Sequence, residues 1–167
     1  SIEGKGTTFS VLLPLCSPIE KSSSHELIDA NAPSVNLNAD LESVKRILYI
    51  EDNPTNMRLV ENIINKYTSF EFLSSVNGND GVKKAIEQKP DLILLDLNLP
   101  DISGHDVFKK LSQNTSLNNK PVVAVSANAV QNDIDKTLEL GFLDYIKKPL
   151  DVFNFKDMLN KILIDNN

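Results

Sequence analysis

From residue 46 onward the chain alternates short apolar runs with stretches whose apolar residues recur at helical spacing. Arg46 to Ile50, Phe70 to Ser75, Leu92 to Leu95, Val122 to Val125 and Asp144 to Ile146 predict five strands. A helix is predicted after each. The first has Asn53 as N-cap and Pro54 at the opening helical position, with Met57, Val60, Ile64 and Tyr67 on one face. The second covers Asp80 to Gln88 and stops before Pro90. Val107, Phe108 and Leu111 mark the third, while Ile134, Leu138 and a closing Gly141 mark the fourth. The fifth carries Phe155, Met158, Leu159, Ile162 and Leu163 along a single stripe. Strands one, three and four are almost continuously apolar, as strands covered by helices on both faces must be. Five such β/α units predict an α/β fold, a doubly wound parallel sheet.

Ahead of this region the pattern fails. Residues 17–44 contain five acids, one base, six serines, Pro18 and Pro33, and no aromatic residue. Too little apolar surface is available there to offset the entropy of ordering, so an acidic Ser-rich linker is expected. Before it, Phe9 to Leu15 forms one more apolar run.

Charge and cysteine content narrow the function. The 167 residues hold 17 Lys+Arg against 23 Asp+Glu, a net of −6. Without clustered basic charge, neither nucleic acid nor an anionic membrane surface is an expected partner. Cys16 is the only cysteine, which rules out an intramolecular disulfide and suits a reducing, cytoplasmic setting. No apolar run is long enough to span a bilayer, and Val11 to Cys16 is shorter than a signal-peptide core. The chain opens on Ser1 and reads as a fragment of a longer protein, one that could be anchored in a membrane upstream.

In an open parallel sheet the ligand site lies beyond the carboxyl ends of the strands, where the strand order reverses. Strand one ends in Glu51-Asp52 and strand three in Asp96, and if the strand order is 2-1-3-4-5 those two strands are neighbours. Carboxylates about 4 Å apart repel by roughly 4 kcal/mol per pair at an effective dielectric of about 20, so a cation belongs among them. Hard oxygen donors point to Mg²⁺. Strand four ends in Ser126, a hydroxyl, and strand five runs into Lys148, an ammonium, before Pro149. Singly, each is an ordinary surface or buried polar residue. Together at successive strand ends they form a set for phosphoryl transfer, with Asp96 as nucleophile, Mg²⁺ and Lys148 neutralising phosphoryl oxygens, and Ser126 donating to one of them.

The segments "ILYIEDNPTNMRLV", "PDLILLDLNLPDISG", "VVAVSANA" and "GFLDYIKKPL", in this order and spacing, resemble the receiver domain of two-component response regulators, over residues 45–167. The resemblance implies a flavodoxin-like (βα)5 fold. It implies Asp96 as phosphoacceptor, and Glu51, Asp52, Asp96 and the backbone carbonyl of Asn98 around Mg²⁺. It further implies Ser126 and Tyr145 as a switch pair, Lys148 as the phosphoryl-binding lysine, a cis Lys148-Pro149 bond, and Asn98 and Asn128 at positions that tune phosphate lifetime. The implied partners are the phosphohistidine of a histidine kinase and a histidine phosphotransfer protein.

At the N-terminus, "EGKGTTFSVLLPL" resembles the last glycine motif and final strand of a histidine-kinase ATP-binding domain. Residues 1–16 would then be the end of that domain, and the whole a piece of a hybrid sensor kinase. The strand Phe9 to Leu15 should pack on some surface, including that of a second copy of the chain. Neither His25, in the linker, nor His105, at the start of the third helix, stands where a phosphodonor would, and both are expected to face solvent.

Other readings fit less well. A haloacid-dehalogenase-like phosphatase would need an acid two residues after its nucleophile, where this chain has Asn98. A dinucleotide-binding fold would need glycines after strand one, in place of the acidic Glu51-Asp52. A pseudo-receiver that only binds partners would be expected to have lost part of the chemical set, and none is missing.

Overall fold

The computed structural model describes residues 44–117, 119–128 and 130–164. The expected ATP-binding remnant, the strand at Phe9 to Leu15 and all of the expected linker but Val44 lie outside them. Five strands, β1 (Arg46–Ile50), β2 (Glu71–Ser75), β3 (Leu92–Asp96), β4 (Val122–Ser126) and β5 (Asp144–Lys147), alternate with α1 (Pro54–Tyr67), α2 (Gly78–Gln88), α3 (Gly104–Ser112), α4 (Gln131–Glu139) and α5 (Val152–Leu163). A single 3-10 turn, Thr115–Leu117, precedes β4. All pairings are parallel, in the order β2-β1-β3-β4-β5. This is the expected flavodoxin-like arrangement.

Period-two alternation divides each central strand between two cores. Ile47, Tyr49, Leu92, Leu94, Val123 and Val125 pack with Val60, Ile63 and Ile64 of α1 and with Phe155, Leu159 and Leu163 of α5. On the opposite face Leu48, Ile50, Ile93, Leu95 and Ala124 meet Ala85 of α2, Val107 and Leu111 of α3, and Phe142. Each fully buried aliphatic side chain contributes roughly 1.5–3 kcal/mol, so the three central strands dominate the fold's stability.

The helices start where their caps dictate. Asn53 Oδ1 accepts from the amides of Thr55 and Asn56, Asn77 from Asp80, Ser103 from Asp106 and Asp151 from Asn154. Helix α2 therefore begins at Gly78, two residues earlier than the apolar pattern suggests. Val130 leaves α4 without a side-chain cap, and Thr137 is its one buried residue. At the end of that helix Gly141 adopts φ +106°, a left-handed conformation that disfavours any side chain.

Two expectations about helix faces need correction. Tyr67 is 49% exposed, and Ile63 takes its place in the core. Leu138 is 40% exposed, leaving α4 weakly anchored. His105 is exposed, as expected, with its Nε2 3.3 Å from Thr137 Oγ1 and its ring edge-on to Phe142. Among the described residues no helix is long and apolar enough to cross a membrane.

Candidate functional site

Strands β1 and β3 are hydrogen-bonded neighbours, Ile50 pairing with Leu95, so the residues that follow each strand emerge side by side. Glu51, Asp52 and Asp96 each present a carboxylate oxygen within 4.8 Å of the others. Asp52 is exposed, whereas Glu51 and Asp96 retain only 1% and 4% of their surface. Carboxylates so buried need compensation, and Lys148 provides it: Nζ donates to Glu51 Oε2 at 2.5 Å and to Asp96 Oδ2 at 2.7 Å. The backbone amide of Lys148 donates to the carbonyl of Ser126, anchoring the loop after β5 to the end of β4, and the Lys148–Pro149 bond is cis.

The two buried acids differ in what surrounds them. Burial pushes Glu51 up, but hydrogen bonds from Lys148, Tyr49 and Asn56 outweigh it and hold the group below the ordinary glutamate range. Burial pushes Asp96 up as well, and there the amide of Asn98 and the Lys148 ammonium only partly offset it. Lys148 itself is held above the ordinary lysine value: burial opposes its charge, but hydrogen bonds to Asp96 and Glu51 prevail. At neutral pH the centre thus has a firmly ionised Glu51, a charged Lys148, and an Asp96 with fewer donors on its oxygens.

The loop after β3 is built closely around Asp96. The amide of Asn98 donates to Asp96 Oδ1 at 2.9 Å. A Cβ at Gly104 would stand 2.5 Å from the Asp96 carbonyl and 2.6 Å from Leu97 Cα, so only glycine lets α3 start this near the acid. Asp101 ties the same loop to α2, accepting from the amides of Gly78 and Asn79 at 2.8 and 2.9 Å. Asp52, Asn98, Leu99 and Asp101 line a shallow depression over the carboxylates.

Ser126 lies at the same edge, since Asp96 pairs with Val125 and Ser126 follows it on β4. Its hydroxyl accepts from the amide of Asn128 at 3.2 Å. Tyr145 donates through its phenol to the carbonyl of Asn128 at 2.5 Å, and both line a groove between α3 and α4 with Asn98, Ser126 and Thr137. The Asn128 side chain reaches the start of α4, donating to Asp133 Oδ2 at 2.6 Å and accepting from the Val130 amide. Ser126, Asn128 and Tyr145 are therefore joined in one hydrogen-bonded chain.

Glu51, Asp52, Asp96 and Lys148 converge as the sequence suggests, with Asn98 and Ser126 at the margin. Tyr49, Asn56 and Asp101 were not foreseen. For Tyr49 the signal was present: a phenol inside an apolar strand, two residues before Glu51 and so on the same face. Asp101's bond to a helix 22 residues distant left no local trace. Three clustered hard oxygens, one of them on an exposed acid, suit a small divalent cation, and the donor set fits Mg²⁺.

A buried carboxylate at the end of β3, bridged by lysine to an acidic pair at the end of β1, marks the receiver class. The model of the response regulator receiver domain matches residues 47–160, and the chain belongs to that family of phosphoacceptor modules in two-component signalling. It is 36% identical over 121 residues to the polar-differentiation response regulator DivK of Brucella anthropi, covering 72% of this chain and 98% of that one. Among solved structures it resembles the receiver domain of sensor histidine kinase PA1611 from Pseudomonas aeruginosa, which holds a magnesium ion in its active-site cleft, with TM-score 0.66 and 28% identity over 72% of this chain and 98% of that one. The phosphorylated cyanobacterial phytochrome response regulator RcpA is also similar, with TM-score 0.64 and 27% identity over 74% and 96% of the two chains.

Proposed function

We propose that residues 45–167 form an active receiver that takes a phosphoryl group from a phosphohistidine onto Asp96 and passes it to a histidine phosphotransfer protein. The observation that carries this reading is the pairing of a buried Asp96 carboxylate with the Lys148 ammonium beside Glu51 and Asp52. Asp96 attacks phosphorus, forming an O–P bond as the N–P bond to the donor imidazole breaks with its electron pair returning to nitrogen. Lys148 follows the new charge onto a phosphoryl oxygen, and Ser126 donates to another. Mg²⁺, held by Asp52, Asp96 and the Asn98 carbonyl with Glu51 close by, would neutralise the phosphoryl oxygens. Magnesium in the cleft of the PA1611 receiver supports this choice of ion.

Ser126 and Tyr145 serve as the switch. Drawing the Ser126 hydroxyl toward a phosphoryl group releases the Asn128 amide, to whose residue Tyr145 is bonded, and α4 has the fewest buried side chains to resist a shift. Asn98 and Asn128 tune phosphate lifetime from either side of the acceptor. The wider setting is a cytoplasmic receiver of a hybrid histidine kinase, with residues 1–16 the end of its ATP-binding domain and 17–44 the linker. The test is transfer from a phosphorylated histidine phosphotransfer domain: Mg²⁺-dependent loss of label from the donor, with gain on the chain, is expected. A donor that keeps its label while Mg²⁺ is shown to bind would favour a pseudo-receiver.

A further inference from the structure

We infer that Tyr49 is a positioning residue, which together with Asn56 clamps the Glu51 carboxylate so that Glu51 serves the cation site from behind its direct ligands. This rests on the reading of the acidic cluster as a Mg²⁺ site.

Strand β1 is covered on both faces, and its other interior side chains are aliphatic. Tyr49 is fully buried in the cluster containing Ile47, Val60, Ile64, Leu94 and Phe155. A phenol placed there must find an acceptor. Residues two apart on a strand share a face, so the ring runs beneath Glu51, and its hydroxyl donates to Oε2 at 2.5 Å. Lys148 Nζ occupies the second site on Oε2. On Oε1, the Asn53 amide and Asn56 Nδ2 donate at 3.1 and 3.2 Å. A carboxylate accepts about four hydrogen bonds, so Glu51 is saturated.

Three of the four donors belong to β1, the N-cap of α1 and its first turn. Lys148 alone comes from across the site, and it is shared with Asp96. When Lys148 is drawn elsewhere, the local donors keep the carboxylate aimed, and one acceptor position on Oε2 opens toward the cluster. Asp52 accepts no side-chain hydrogen bond among the described residues and offers its oxygens directly. The division of labour among the carboxylates is thus set by a residue that never touches the ion.

The test is Mg²⁺ affinity by calorimetry on the full chain, with thermal unfolding in EDTA alongside, for wild type, Tyr49→Phe, Glu51→Ala and the double variant. Loss of a hydrogen-bond partner behind metal-site groups weakens binding about tenfold or more. Tyr49→Phe, which keeps the ring, is expected to do so in wild type and to have no effect on affinity once Glu51 is Ala. Asn56→Ala, on the exposed side of the clamp, should weaken binding in the same direction, which serves if Tyr49→Phe does not fold. Mg²⁺ affinity unchanged by Tyr49→Phe, or changed equally in the Glu51→Ala background, overturns the inference while leaving the metal site intact. Absence of Mg²⁺ binding by wild type overturns the metal-site reading and the clamp with it.

Discussion

Lys148 and Asp96 meet beyond the carboxyl edge of the sheet, Nζ to Oδ2 over 2.7 Å, and the same ammonium is shared with Glu51. One lysine therefore compensates two buried acids contributed by two different strands. The arrangement holds Asp96 in a buried, charged environment, and in the proposed reaction the same lysine follows the new negative charge.

Removing that ammonium should be costly. Lys148→Ala leaves Glu51 and Asp96 buried without a counter-charge, and breaking such a pair costs roughly 3 kcal/mol. Urea unfolding in EDTA should show this loss, and added Mg²⁺ should recover more stability in the variant than in wild type. Asp96 should still accept phosphate, while the amide resonances of α4 and β5 no longer respond to it.

Gly104 is expected to tolerate no side chain. In Gly104→Ala the new methyl falls on the Asp96 carbonyl, and relieving an overlap with backbone costs about 1–3 kcal/mol. Because the backbone that must yield carries Asp96, the proposed acceptor, phosphorylation should slow markedly even where the variant is folded. Acetyl phosphate labelling rates and thermal melts on one preparation separate the two effects.

Asp101 supplies a pH-dependent strut. Hydrogen bonds from the amides of Asn79 and Gly78 outweigh its slight burial and hold it below the ordinary aspartate range. A carboxyl with a lowered folded pKa stabilises fully above its unfolded value, and that contribution disappears as pH falls through the folded value. Asp101→Ala should cost about 1 kcal/mol near neutrality, as loss of a helix cap does. The difference from wild type should shrink as urea melts are carried from about pH 7 down toward pH 3.

Much of this was legible in the chain. The apolar runs of β1, β3 and β4 read as strands buried on both faces, and with the strand order 2-1-3-4-5 that the family resemblance carries, they placed the edge at which the acids collect. Asn53-Pro54 placed the start of α1 to the residue. The pattern misled where tertiary geometry, rather than local spacing, decides burial. Tyr67 and Leu138 keep helical phase with core residues yet stay largely exposed. The convergence of Glu51, Asp52, Asp96 and Lys148 followed from the strand ends once the strand order 2-1-3-4-5 is taken. Their hydrogen-bonded support by Tyr49, Asn56 and Asp101 depends on side-chain reach that spacing does not encode.

The central claim is that Asp96 is a working phosphoacceptor. Its most direct test is the intact mass of wild type and Asp96→Asn after incubation with acetyl phosphate and Mg²⁺, with a parallel sample in EDTA. The account predicts one base-labile phosphoryl adduct on wild type with Mg²⁺, and none on the variant or in EDTA. An adduct forming at the wild-type rate on Asp96→Asn, or no adduct on folded wild type that binds Mg²⁺, would contradict it.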